Sequence, residues 1–358
     1  MRDVMRRALL TLVIALFAAS AAQAQTGVPT GKGLPVRVNV AVEFVELIGF
    51  KENTGVLTAT VDVRLRWQDL RLRRSAQDAS QSPQIFRGAE AGAQIAKMWV
   101  PPVEFANQRG KAAYTSAGLW IYPDGSVEMI KRTSGDFASS VSVDSFPFDR
   151  QKLRLDIAVR DVDAQTVVLV FDENDLNDSR RSKQASLDGW ELGNVTLRGE
   201  AMNGWHGATH SQVVASLEII REPAMIIASI FIPLFASLLI PMLSIWLNRS
   251  KDGNFRIETF ELVNIIIGGL FAVIALNFTI NSTYEMLGSG ANPVHELLAL
   301  NYLTLGIGLV VNVLLFRYGV VARLFGRYVQ EQVYFFVCWA LPVLTLATAA
   351  MVIGIALA

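Results

Sequence analysis

Four apolar stretches follow residue 222, at about 224–247, 261–281, 296–316 and 333–357, and nothing of that length occurs between residues 25 and 222. Each can cross about 30 Å of hydrocarbon at about 1.5 Å per residue, and in lipid only a helix or a closed barrel satisfies its own backbone. This part of the chain must therefore be a four-helix membrane domain. Of the 358 residues, 52% are hydrophobic and 18% charged. That is too apolar for one soluble globule, and the length suits about two domains. Thirty-two basic side chains balance 32 acidic ones, so the positive surplus of a nucleic-acid binder is missing and no such partner is expected. The single cysteine, Cys338, can build neither an internal disulfide nor a thiolate cage for a metal.

The N-terminus has the three parts of a secretory signal. A basic start (Arg2, Arg6, Arg7) precedes an apolar stretch from Ala8 to Ala19 and the small-residue site Ala22-Gln23-Ala24. Residues 1–24 are thus expected to be a signal peptide, although a fifth membrane helix is the alternative. Its apolar stretch is shorter than the roughly 20 residues of a span. The connection 248–260 carries Arg249, Lys251 and Arg256, and 317–332 carries Arg317, Arg323 and Arg327, whereas 282–295 has no Lys or Arg. By the positive-inside rule the basic loops are cytoplasmic, so residues 25–222 and the C-terminus face the other side. Membrane lipid is the expected surroundings of residues 223–358.

Residues 25–222 read as short strands. Val36, Val38, Val40, Val42 and Phe44 alternate with Arg37, Asn39 and Glu43; Val61, Val63, Leu65 and Trp67 alternate with Asp62, Arg64 and Arg66. Such alternation marks strands with one buried face. Leu119–Tyr122, the turn Pro123-Asp124-Gly125 and Val127 onward read as a hairpin. Further strands are expected at 153–159, 166–171, 190–198 and 212–220, making a β-sandwich of about ten strands.

Specific residues narrow this organisation. Phe146-Pro147-Phe148-Asp149-Arg150-Gln151 resembles the signature loop of the pentameric ligand-gated ion channels, the Cys-loop receptor superfamily. Trp67-Gln68-Asp69, Trp99-Val100-Pro101 leading to Asn107, and Arg221 twelve residues before Pro233 stand in that family's order and spacing. The cysteines that bracket the loop in animal members fall here on Ser139 and Leu153, so the chain is similar to the prokaryotic branch without that disulfide. The resemblance covers 34–357. It implies an α+β membrane protein in which an N-terminal periplasmic β-sandwich precedes four transmembrane helices, assembled as a homopentamer in the bacterial inner membrane.

Bottom-up, Pro147 between two aromatics makes a stiff apolar tip suited to press on the membrane helices. Glu52, Asp149 and Arg221 are expected to form a partly desolvated charge cluster at the domain junction, and three solvated surface charges are the alternative. Pro233 removes a backbone donor within the first helix, which neighbouring groups must compensate.

The second apolar segment carries Glu261, Asn264, Gly268, Phe271, Ala275, Phe278 and Ser282 at offsets of three and four, one helical face. The resemblance makes this the pore wall, and five Glu261 carboxylates would form a ring that concentrates inorganic cations. Glu258 competes for that mouth, and Glu261 could instead favour a helix N-terminus. Phe271 and Phe278 could be packing aromatics, and Asn264 could hydrogen-bond between helices.

In the family, agonists bind between subunits beneath a hairpin, here about 199–211 with Trp205 and His206 near its tip. Arg160 stands where ammonium-binding members carry an aromatic, so it disfavours quaternary amines. It either pairs with a carboxylate ligand or bridges to Asp161 or Asp163. Phe105 and Arg66 are further lining candidates from the principal and complementary sides. His206 and His210 have metal-like spacing without a third ligand, and neither a cofactor nor an enzyme activity is expected. The leading expectation is a cation-selective channel opened by protons or a small carboxylate. The alternative is a membrane-anchored β-sandwich sensor without a pore.

Overall fold

The computed structural model describes residues 27–74, 82–204, 207–247, 250–251, 254–255, 259–284, 287 and 292–357. The expected signal at 1–24 and the residues Trp205, His206 and Glu258 lie outside them.

Strands β1 (Val36–Lys51) and β2 (Val56–Gln68) pair antiparallel with Val42 opposite Val63. Val38, Val40, Phe44, Val61 and Leu65 are buried. A slip of one residue would drive Asp62 and Arg64 into that core, so the alternation fixes the register. β5 (Gln108–Ile121) and β6 (Ser126–Ala138) form the hairpin, turned at Gly125 with φ +83°, a conformation that costs any other residue. With β3 (Gln84–Arg87), β8 (Val167–Val170) and β9 (Arg180–Arg181), they complete one sheet, ordered β3-β5-β6-β2-β1-β8 with β9 against β1.

The facing sheet runs β10 (Trp190–Asn203), β11 (Thr209–Arg221), β7 (Arg150–Val159) and β4 (Val103–Phe105). Between the sheets Phe44, Leu57, Leu65, Phe137, Leu155, Ile157, Leu217 and Ile219 form the core. β3, β4 and β9 are edge strands of four residues or fewer, too short to display an alternation in sequence. Asn107 ties the sheets together: its amide donates to Ala138 O (2.8 Å) and Arg154 O (2.9 Å), and its oxygen accepts from Asp156 N (2.9 Å). Two short helices, α1 (Ala89–Ile95) and α2 (Glu173–Asp178), flank the sandwich.

Four apolar helices follow: α3 (Ala224–Trp246), α4 (Thr259–Thr283), α5 (Pro293–Val311) and, after the short α6 (Val320–Phe325), α7 (Arg327–Leu357). Among the described residues, an N-terminal β-sandwich followed by four helices long and apolar enough to cross a membrane makes this a multi-pass membrane protein.

Proline is accommodated differently in each helix. Before Pro233 the chain makes a π turn over Ile227–Phe231, with Ile232 N–H donating to Ile227 O; such turns absorb a disrupted hydrogen-bond ladder. Pro342 in α7 has no N–H for the carbonyl four residues back, Cys338 O, and the Trp246 indole of α3 donates to it instead (2.9 Å).

α7 begins at Arg327 rather than near 333. Its 31 residues make about 46 Å of helix, so the polar first turns extend past the hydrocarbon. α5 begins at Pro293, capped by the Asn292 side chain accepting from His295 N (3.0 Å), a start that an apolar window misses.

Candidate functional site

The domain junction is built from three strand ends and one loop. The turn after β1 brings in Glu52, β7 begins just after Asp149, and β11 ends at Arg221 beside Trp190 of β10. Arg221 Nε donates to Asp149 Oδ1 (2.6 Å) and Nη2 to Asp149 Oδ2 (3.1 Å), while Nη1 and Nη2 reach both oxygens of Glu52. Its guanidinium carbon lies 4.1 Å from the Trp190 ring centroid and 5.0 Å from that of Phe146. Gln151 completes the set, donating to Asp149 Oδ2 (2.6 Å). Arg221 and Asp149 are 6% and 3% exposed, so the alternative of three solvated surface charges is excluded. Burial alone would lower the Arg221 pKa, but its hydrogen bonds to Asp149 and Glu52 outweigh it and hold the guanidinium above its usual range. The cluster is a fixed cation clamped by two carboxylates and two aromatic faces.

The adjoining loop joins this cluster to the membrane domain. Phe146 is fully buried, yet it belongs to the hydrophobic cluster of the helical bundle, with Ile226, Ile230, Leu234 and Ile280, and not to the sandwich core. Tyr284 at the end of α4 meets it edge-on at 6.0 Å. Pro147 is buried behind it and Phe148 half-buried. One aromatic ring therefore meets both the Arg221 cation and the tyrosine at the end of α4. At the loop's base Ser139 Oγ donates to Lys152 O (2.8 Å) while Leu153 is a core residue, so a hydroxyl and a buried side chain stand at the bracketing positions. Trp190 was not legible in sequence; the only signal was an aromatic at the start of a strand whose register with Arg221 is set by the fold.

On α4 the buried residues are Leu262, Ile266, Val273 and Ile280. Gly269 lies on the same seam, where an added Cβ would meet Ile240 at 2.8 Å and Leu305 at 3.1 Å. At about 100° per residue this seam is opposite the stripe Glu261, Asn264, Gly268, Phe271, Ala275, Phe278 and Ser282, all seven of which are exposed. Phe271 and Phe278 are 68% and 76% exposed, against 36–47% for Ile265, Ile267, Leu270 and Ile274. They are not packing aromatics of their own bundle. Asn264 forms no side-chain hydrogen bond with any described residue, unlike Asn301 in the bundle, which accepts from Ser237 Oγ at 2.6 Å.

The ligand candidates fare differently. Arg160 pairs with Glu104 (2.9 Å) rather than with Asp161 or Asp163, and also donates to Ala106 O (3.4 Å). Pairing of β4 with β7 delivers that partner. Phe105 turns its ring onto Phe137, T-shaped at 5.1 Å, which makes it part of the sandwich core's margin. Arg66 lies on the other sheet and binds Asp175 (3.0 Å). His210 sets Nδ1 against Val162 O (3.0 Å); no metal-binding group occurs among the described residues.

Asp175, 1% exposed, also accepts from Arg64 (3.0 Å) and Asn39, and so clamps α2 to β1 and β2. Burial raises its pKa, but hydrogen bonds from Asn39, the Asp172 backbone and Arg64, with the Arg66 charge, bring it below the usual carboxylate range. A depressed folded value means that this stabilisation is present above about pH 4 and is lost as pH falls through the folded value. Asp175→Asn is expected to cost about 1–3 kcal/mol in melts of the full chain in detergent at pH 7, with the difference from wild type shrinking as pH falls below the usual carboxylate range.

Comparison with known proteins bears on this arrangement. A family model described as the neurotransmitter-gated ion-channel ligand binding domain matches residues 24–223. A proton-gated ion channel of Gloeobacter violaceus is 24% identical over 249 residues, 69% of this chain and 64% of that protein. A gamma-aminobutyric acid receptor subunit theta of Mus musculus is 21% identical over 248 residues, covering 67% of this chain and 36% of its own length. An acetylcholine receptor subunit epsilon of Homo sapiens is 26% identical over 210 residues, 55% and 41% respectively. The chain thus spans less than two thirds of the length of the curated relatives it matches. Since the match takes in the whole sandwich and more than half of the chain, this protein belongs to the neurotransmitter-gated ion-channel family through its ligand-binding domain.

Proposed function

We propose that this chain is the subunit of a homopentameric, cation-selective channel of the bacterial inner membrane, opened by a periplasmic signal, protons or a small carboxylate. The observation that carries the reading is the free face of α4. A helix that only anchored a sensor would have no reason to turn Glu261, Asn264 and Ser282 away from its own bundle along one line. Five such faces around an axis give a water-filled path with a carboxylate ring at the cytoplasmic mouth and aromatic constrictions above it, and apolar constrictions close by dewetting. The junction supports ligand control. Movement of the sandwich reaches α4 through Arg221, Phe146 and Tyr284, which touch in series. The relative described as proton-gated favours acid as one stimulus.

The test is current from purified protein in liposomes while pH and carboxylates are stepped on the periplasmic face. Glu261→Gln is expected to reduce the cation preference about tenfold or more, because a carboxylate about 4 Å from an ion contributes about 4 kcal/mol at an effective dielectric near 20. Reversal potentials in asymmetric salt check it; unchanged values would pass the role to Glu258.

A further inference from the structure

A cavity of about 510 Å³ lies at the margin of the sandwich, between the lead-in at Lys32, the start of β1 at Arg37 and the end of β2 at Arg66. That volume is in the range of small-molecule sites, about 300–1,000 Å³. Three cations line it against one carboxylate, Asp172. Asp172 is already engaged, with Oδ1 accepting from Asp175 N (2.9 Å) and Oδ2 from Asn39 (3.4 Å). Arg66 gives one nitrogen to Asp175. Lys32 and Arg37 form no ion pair with any described residue; Lys32 is felt by the Asp124 carboxyl, whose pKa is lowered mainly by hydrogen bonds from Ser126. In the same wall is Trp67, whose buried indole N–H has no hydrogen-bond partner among the described residues. By contrast, Arg160 near the hairpin is neutralised by Glu104.

We propose that this cavity binds a small organic dianion, two carboxylates a few bonds apart, held by Lys32 and Arg37 with Arg66 at its inner wall. Two unpaired cations call for two negative charges, and a guanidinium fork matches a carboxylate. Inorganic phosphate would leave most of the volume unfilled and could not span the walls. Arg66 is the one hairpin-site candidate that also lines this cavity; no described residue of the 199–211 hairpin or of α4 does, and occupancy is read by binding rather than by current, so failure here leaves the channel reading standing and the reverse also holds.

Calorimetry on the full chain in detergent, with succinate as the probe and acetate and inorganic phosphate as comparators, tests it. Succinate is expected to bind more tightly than either comparator. Lys32→Gln and Arg37→Gln are each expected to weaken it about tenfold, the effect of losing one charged hydrogen bond. Arg37→Lys should keep most of the affinity, and Arg160→Ala should keep all of it. No succinate binding, phosphate binding more tightly than succinate, affinity unmoved in both Gln variants, or affinity lost only in Arg160→Ala would each overturn the assignment. Both substituted residues are exposed, and melting temperatures matching wild type confirm that the Gln variants fold.

Discussion

Replacing Arg221 by alanine is expected to leave no stimulus-evoked current. The guanidinium is buried with two carboxylates, and its removal leaves Asp149 and Glu52 facing each other without a counter-charge. Breaking such a set by removing one partner costs about 3 to 5 kcal/mol, comparable to the whole stability of a small domain. The same change removes the cation that lies against Phe146 and Trp190. Arg221→Lys keeps the charge but loses the fork that reaches both acids at once, so its evoked current should be small but measurable. Size-exclusion profiles separate a failure of assembly from a failure of gating. Wild-type activation in Arg221→Ala would remove the cluster from the mechanism.

Replacing Phe271 by serine is expected to give a channel that leaks at rest. Its ring is 68% exposed on the free face of α4, where it stacks on no ring of the described residues. If five rings close the pore by excluding water, five hydroxyls re-wet it. A change of about 1.4 kcal/mol in the balance between closed and open states moves the open fraction about tenfold, and five substitutions act together. The resting current of Phe271→Ser liposomes should therefore exceed that of wild type at least tenfold in order of magnitude. Equal resting currents would mean that Phe271 packs against a neighbouring subunit instead.

Much of this architecture was legible because its signals are local. The period-two alternation of Val36 to Phe44 and of Val61 to Trp67 is buried on the side that the pattern marks. The helical spacing from Glu261 to Ser282 likewise identifies a face without any contact being known. What escaped depends on register between distant segments. Glu104 meets Arg160 only because β4 pairs with β7, and Trp190 meets Arg221 because β10 pairs with β11. The Trp246 indole serves the carbonyl freed by Pro342 across 92 residues of chain. α6 escaped for another reason: six residues between Gly319 and Gly326 are too few for a periodic signal.

In the proposed channel the Glu261–Ser282 face of α4 lines the ion path. With Cys338 as the sole cysteine, Cys338→Ala gives a background free of thiols, in which single cysteines can be placed along α4 and challenged with a water-soluble cationic thiol reagent during activation. Current is expected to change at Gly268→Cys, Phe271→Cys, Ala275→Cys and Phe278→Cys, and to be unaffected at Ile266→Cys and Val273→Cys. Modification following the Ile266 and Val273 seam, or no effect at any stripe position, would contradict it.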